Sequence, residues 1–312
     1  MIVTRAPLRI PLGGGGTDTP SYYNKYGGYV LGFAVQKYVY VTVHPTIDGK
    51  IRLKYSKNET VDCTDQLVNR VAAEALNFYG ITGGLEIATF SDVPESSGLG
   101  GSSSFCVALI AAIRSLKDLA LDRHQIFLDA YNIERIKAGQ SGGIQDQFFA
   151  SLGGCWGLTL GEAEPQMEMV QLNGLLSKLK LVHAGERKLT YNLQIADKQD
   201  ADIKSDTVST VESLHKTKEL GKHIYGLVRS GKQDELGVIF NEHWENKKKR
   251  NPNITNPDLD AIYKRALESG ATGGKLVGLG GGGYFLFYVP RELKGMEAID
   301  LKVDWEGVKR LL

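Results

Sequence analysis

Two rhythms of apolar positions run along this chain. Continuous or alternating runs rich in Val, Ile, Tyr and Phe mark strands at residues 1–12, 29–43, 51–55 and 85–90. The second of these is long enough for one or two strands. Residues 64–79 instead place Leu67, Val68, Val71, Ala72, Ala75, Leu76 and Tyr79 at helical spacing, with Thr64 as N-cap and Gly80 as the stop. Residues 105–113 are apolar on nearly every side, which predicts a buried helix. A further helix is expected at 122–138, capped by Asp122. Near residue 178 the pattern restarts, which divides the chain into halves 1–177 and 178–312. The second half reads as a strand at 179–183, helices at 202–229, 232–249 and 257–269, and strands at 275–279 and 284–289. Short helices at 291–299 and 306–312 flank a last strand at 300–303.

Glycine-rich segments interrupt these elements at four places. Residues 13–18, GGGGTD, form a turn ending on a carboxylate, open to either a ligand or a plain hairpin loop. Residues 96–104, SSGLGGSSS, run straight into the buried helix. A helix start carries unpaired N–H groups and the positive end of the macrodipole. A loop without large side chains lets phosphate oxygens reach those donors, so this join is a candidate anion site. Gly98, Gly100 and Gly101 supply backbone freedom there, and Ser102, Ser103 and Ser104 supply hydroxyls. It is not a Walker A loop, because no lysine follows Gly101, and the near match at 226–231 before Lys232 reads as helix surface. Residues 278–283 fit G-x-G-x-x-G but lead into the strand-like YFLFYV, so the dinucleotide fingerprint fails on context. The fourth segment, GQSGGIQDQ at 139–147, sets Asp146 beside a glycine turn.

Composition narrows the function. A net charge of +1 gives no bulk attraction to nucleic acid or to an anionic membrane. The longest apolar run, 105–113, is too short to span a bilayer, and no signal-like segment precedes the first charged residues, so a cytoplasmic protein is expected. The three cysteines, Cys63, Cys106 and Cys155, are far apart and read as small buried residues of a reducing compartment. The six histidines show no H-E-x-x-H spacing. The run KKKR at 247–250 reads as a solvated helix end at the negative pole of the helix dipole.

Taken in order, APLRIPLGGGGTD (6–18), PESSGLGGSSS (94–104), SGGIQDQFFASLGG (141–154) and KLVGLGGGG (275–283) resemble the motifs of the GHMP kinase superfamily over nearly the whole chain. Within it, YYNKYGGYVLGFAVQKYVYV (22–41) and the stretch from HWENKKKR to GGGGYFLFYVP resemble the D-glycero-D-manno-heptose 7-phosphate kinases. Gly101 stands where serine is frequent in the second motif, and Leu279 where alanine is usual in the third. The resemblance implies an α+β fold with a ribosomal-protein-S5-like N-terminal half and a ferredoxin-like C-terminal half. It implies ATP-dependent phosphorylation of the anomeric C1 hydroxyl of the heptose 7-phosphate, giving the 1,7-bisphosphate. It implies ATP phosphates on Gly98, Leu99, Gly100, Gly101, Ser102, Ser103 and Ser104. Mg²⁺ would sit on Ser102 and Glu134. Asp146 would be the catalytic aspartate with Arg9 close by, stabilising charge at the γ-phosphate. Thr17 and Asp18 would contact sugar hydroxyls, and Gly281 and Gly282 would cradle a substrate phosphate.

Other readings differ by one feature each. A kinase for an unphosphorylated sugar such as fucose or galactose would lack a cationic pocket for the distal phosphate, for which Lys248, Lys249, Arg187 and Lys188 are the candidates. A diphosphate decarboxylase would need an apolar acid pocket in place of the polar Gly-Thr-Asp turn. A sugar sensor without turnover would not need Arg9, Glu134 and Asp146 together. The expected partners are a sugar phosphate and ATP, with no nucleic acid and no membrane; a homodimer is left open.

Overall fold

The structure is a computed structural model that describes residues 1–162, 164–186 and 189–312, without the side chains of 189–193. Its spine is the pairing of β1 (Ile2–Gly13), over its full length, with residues 31–43 of β2 (Gly28–Pro45). The register shifts at Pro7/Leu8 and at Pro11/Gly13. Proline cannot donate to the ladder and is tolerated at such irregularities. Between the two strands lies the short helix α1 (Pro20–Tyr26), which the sequence pattern did not announce. β2 is one strand that changes partner midway. Its first part pairs with β6 (Cys155–Leu160) and its last part with β5 (Leu85–Ser91). β3 (Ile51–Lys54) lies parallel to β5 and forms a hairpin with β4 (Asn58–Val61). β7 (Gln166–Met169) extends from β6.

The helices of this half follow from their caps. α2 (Arg70–Phe78) starts later than its apolar stripe, because Asn69 Oδ1 takes the Ala72 N–H at 3.0 Å. Thr64 begins a separate 3₁₀ turn, Thr64–Gln66. The buried helix α3 (Gly101–Leu116) starts earlier than its apolar run, directly after Gly100 in the left-handed conformation at φ 83°. It is fastened to the sheet by Thr4 Oγ1, which donates to the Ala108 carbonyl at 2.7 Å. α4 (Arg123–Tyr131) is capped by Asp122 as expected and continues as a π-helical turn, Asn132–Lys137. α5 (Gln145–Leu152) follows the fourth glycine segment.

The four-stranded second sheet runs in the order β11 (Ile299–Asp300), β8 (Leu179–His183), β10 (Tyr284–Tyr288), β9 (Gly273–Leu276). A short α6 (Leu175–Lys178) precedes β8. The expected helix at 202–229 is two helices, α7 (Leu189–Lys204) and α8 (Val208–Ser230), broken where Asp206 takes φ 52°. α9 (Leu236–Lys248) and α10 (Pro257–Glu268), the latter capped by Asn256, pack Trp244 and Leu259 into one core with Phe285 and Phe287 of β10. The helices expected at 291–299 and 306–312 do not form. Gly295 takes φ 67° and its carbonyl is held by Arg265, while Asp304 Oδ1 caps the Glu306 and Gly307 amides. The chain then forms β12 (Lys309–Arg310) on the outer edge of β1. α8 passes so close to the first glycine turn that a Cβ at Gly13 would lie 2.7 Å from Gly221 Cα. No helix among the described residues is long and apolar enough to cross a membrane. Cys106 and Cys155 are buried, but Cys63 is exposed on the turn before Thr64, contrary to its expected burial.

Candidate active site

β1 carries Arg9 to the centre of the molecule, where its backbone N–H donates to the Leu99 carbonyl at 3.0 Å and ties β1 to the second glycine loop. The guanidinium grips Asp146 with two bonds, Nε to Oδ1 at 2.7 Å and Nη2 to Oδ2 at 3.0 Å. Its remaining Nη1 donates to the Gly98 carbonyl at 2.5 Å. Gly100 makes room, since a Cβ there would sit 3.3 Å from Arg9 Cγ. Asp146 stands in the first turn of α5 with its side chain 20% exposed, against 8% for Arg9, so the carboxylate is the member of the pair that faces open space. A bidentate pair of this kind fixes the carboxylate in direction as well as in place.

Asp18 lies beside this pair but is buried, at 1% exposure. It accepts from the Gly16 amide at 3.0 Å, the Gln145 amide at 3.1 Å and Gln145 Nε2 at 2.9 Å. Burial pushes its pKa up, and the negative charge of Asp146 adds to that. Thr17, expected at the sugar, is turned inward. Its hydroxyl donates to the carbonyls of Gly14 and Tyr29 and accepts from the Tyr29 amide. Thr17 therefore fastens the first turn to β2, and Asp18 joins it to the head of α5.

The three serines of the second loop stand in the first turn of α3, where one is turned to the sheet and two to Glu134. Ser104 ties the helix to the Pro7 carbonyl at 2.8 Å. Ser103 Oγ donates to Glu134 Oε2 at 2.6 Å. Exposed Ser102 donates to Glu134 Oε1 at 2.8 Å. Glu134 itself is fully buried on the π-helical turn and also accepts from Gln147 Nε2 at 2.5 Å. Leu99 is core, with no exposure. Gly98, Gly100 and Gly101 are partly exposed, and α3 has no side-chain cap and no acidic residue in its first turn. Its first amides thus remain open to an anion.

The third glycine turn closes onto the second loop. A Cβ on Gly278 would meet the Gly98 carbonyl at 2.7 Å, and one on Gly283 the Ser97 carbonyl at 2.2 Å. The amide of Gly281, expected to cradle phosphate, is spent on the Ile254 carbonyl at 2.9 Å. Gly282 is buried in the same turn. The basic run at 247–250 is not a solvated helix end. α9 packs against β9, which turns Lys247 inward to the carbonyls of Leu276 and Gly278. Arg250 bonds Ser213 Oγ at 3.0 Å, Gln199 Oε1 at 3.2 Å and Thr217 Oγ1 at 2.7 Å. Of the four cations expected at a distal phosphate, Lys248 pairs with Glu245 at 2.7 Å, Lys249 is exposed, and Arg187 and Lys188 lie outside the described residues.

Sequence reasoning passed over Lys275, named only as part of the third motif. It is 3% exposed, and its amine lies 5.8 Å from the Phe240 ring centroid. Burial, then the positive fields of Arg9 and Arg250, draw its pKa from 10.5 down to about 7. A lysine in an otherwise small and apolar strand was the available signal. An ammonium whose pKa falls on folding binds fewer protons in the folded state. Its penalty on stability is complete below pH 7 and fades as pH rises toward 10.5, where the unfolded lysine also loses its proton. Lys275→Met is therefore expected to raise Tm by several degrees near pH 6 and by much less near pH 10, as read by calorimetry. An equal gain at both pH values would contradict a charged burial.

A two-sheet α/β chain in which an uncapped helix start, a guanidinium–carboxylate pair and a serine-held glutamate converge has the parts of a small-molecule kinase. A family model described as GHMP kinases N terminal domain matches residues 66–154. The chain is 30% identical over 309 residues to the D-glycero-alpha-D-manno-heptose 7-phosphate kinase of Campylobacter jejuni, covering 92% of this chain and 89% of that one. It is 24% identical to the galactokinase of Pyrococcus furiosus, over 93% of this chain and 90% of that one. A solved D-glycero-D-manno-heptose 1-phosphate kinase from Bacteriodes thetaiotaomicron superposes with a TM-score of 0.77 at 25% identity, covering 100% of this chain and 99% of that one. The chain belongs to the GHMP kinase family, and it is a sugar kinase.

Proposed function

We propose that this kinase uses ATP to phosphorylate the C1 hydroxyl of D-glycero-D-manno-heptose 7-phosphate, giving the 1,7-bisphosphate. The observation that carries the reading is the bidentate Arg9–Asp146 pair, which lies against the Gly98 carbonyl of the loop before α3. Phosphoryl transfer asks for positioning and charge neutralisation more than covalent work. The open amides of the first turn of α3 and the glycines before them receive the ATP phosphates. Asp146 accepts the proton of the attacking hydroxyl, with its carboxylate aimed by Arg9. Arg9 in turn places positive charge beside the transferring group. The substrate lies where the halves 1–177 and 178–312 meet, with the terminal β12 returned to the first.

The family resemblance also implies magnesium. Ser102 Oγ, the Glu134 carboxylate and Gln140 Oε1, the last 3.4 Å from Ser102 Oγ, form an all-oxygen donor set that fits a hard cation. Ser102 and Glu134 would hold it, and it would neutralise charge on the nucleotide phosphates. Ser102→Ala is expected to raise the Mg²⁺ concentration for half-maximal rate about tenfold. An unchanged Mg²⁺ titration would remove Ser102 from the metal.

Coupled ADP release over a panel of sugars and sugar phosphates tests the substrate. A charge-assisted phosphate contact should give heptose 7-phosphate a kcat/KM at least about 30-fold above that of free heptose. Equal values would sink the heptose phosphate reading and favour a free-sugar kinase.

A further inference from the structure

The interior between α9, β9 and the first glycine turn holds more positive charge than the protein balances. The Lys275 amine makes no hydrogen bond or ion pair among the described residues, although the residue is 3% exposed. Arg250 makes three side-chain hydrogen bonds, all to the neutral acceptors Ser213, Gln199 and Thr217. Burial draws its pKa to about 10, so it stays charged at neutral pH. His243 is 4% exposed and neither ring nitrogen has a partner among the described residues. Burial and the fields of Lys275, Arg250 and Lys247 hold it neutral. His243, Lys247 and Arg250 recur at helical spacing, so one face of α9 and the turn after it points at β9.

The nearby carboxylates are not available to these cations. Asp146 is engaged by Arg9, and Asp18 by Gln145 and Gly16. Buried cations without a counter-charge are unfavourable to the folded state. Their presence is accounted for if an anion completes the cluster. Position says which anion. The Arg250 head group lies over the first glycine turn, where a Cβ on Gly16 would be 3.3 Å from Arg250 Nη1 and 3.3 Å from Gln199 Nε2. Asp18 accepts from the Gly16 amide of that turn and from Gln145 at the head of α5, one residue before Asp146, so the turn adjoins the proposed base. Arg250 also remains partly exposed, so the cluster opens to the outside.

We propose that Arg250 and Lys275, supported by Gln199, receive the phosphate group at the far end of the sugar substrate and so select a sugar phosphate over the free sugar. This rests on the sugar phosphate kinase reading given above. The guanidinium matches two phosphate oxygens at once, and the lysine adds a point charge. His243, held neutral by burial and by the fields of Lys275, Arg250 and Lys247, belongs to the same buried cluster.

The test uses the full chain in the ADP-release assay, with heptose 7-phosphate and free heptose as acceptors. In Arg250→Gln and in Lys275→Met, the ratio of kcat/KM for phosphorylated over free sugar is expected to fall at least about tenfold, through the KM of the sugar phosphate. The KM for ATP should stay within about threefold of wild type. A wild type that prefers the sugar phosphate while both variants keep that preference overturns this assignment and leaves the substrate reading standing. A loss confined to the KM of ATP also overturns it, by giving the cations to the donor phosphates. A wild type without preference for the phosphorylated sugar overturns the substrate reading itself. Lys275→Met removes an unfavourable burial and is expected to fold at least as stably as wild type, so the question is decided even where Arg250→Gln fails to fold.

Discussion

Asp146→Asn is expected to lower kcat by roughly 10²- to 10⁴-fold, the usual loss when a positioned base is removed. The substitution keeps the shape of the side chain, and its amide oxygen can still accept from Arg9, which now donates to both carboxylate oxygens. What is lost is the negative charge and the capacity to take the proton of the attacking hydroxyl. ATP and sugar affinities should change far less than kcat, because the amides at the start of α3 and the cations near Arg250 are untouched. Single-turnover rates on saturating sugar phosphate separate the two effects. A near-normal rate for the Asn variant would make Asp146 a structural partner of Arg9 and remove the proposed base.

The second large effect is expected from a methyl group. A Cβ on Gly143 would lie 2.0 Å from Asp18 Oδ2 and 2.6 Å from the Asp18 carbonyl oxygen. Gly143 does not need a left-handed backbone, so Gly143→Ala acts through this contact alone. Asp18 cannot yield freely, because its carboxylate holds the Gln145 amide and side chain, and its carbonyl accepts from Ile144 at 3.3 Å. The displacement passes to the first turn of α5, where Asp146 stands one residue beyond Gln145. Misplacing a reacting group by about 1 Å typically costs on the order of 10²-fold, and kcat/KM is expected to fall roughly 10²- to 10³-fold. Mg²⁺ dependence should be unchanged, since Glu134 is anchored separately by Ser102, Ser103 and Gln147. Wild-type kinetics in the Ala variant would show that Asp18 and the head of α5 are not rigidly joined.

How much of this was legible in the chain varies with the range of the interaction. The buried helix after the serine loop, the strand at 179–183 and the Asp122 cap were readable because each depends on neighbours a few residues away. The helix expected across 202–229 was misjudged for the same reason, since one left-handed residue, Asp206, breaks a pattern that continues on both sides. β4, β7 and β12 were missed because each is an edge segment of two to four residues, too short to show a period, and β12 in addition pairs with β1 at the other end of the chain.

The site shows the same division. The types of group needed for phosphoryl transfer, and the order of the glycine loops that hold them, are written locally: Arg9 on a strand, serines at a helix start, Glu134 on a helix and Asp146 after a glycine turn. Their meeting is not, because Arg9 and Asp146 are 137 residues apart and only the packing of β1 against α3 and α5 brings them into contact. Tertiary structure alone also decided which polar atoms remain free. It turned Thr17, Ser104 and the Gly281 amide to internal partners. It drew Lys247 and Lys275 out of solvent and partly enclosed Arg250. Hydrogen-bond capacity and burial are properties of what surrounds a group in space, and nothing along the chain on either side of Lys275 states that Arg9 and Arg250 will be near it.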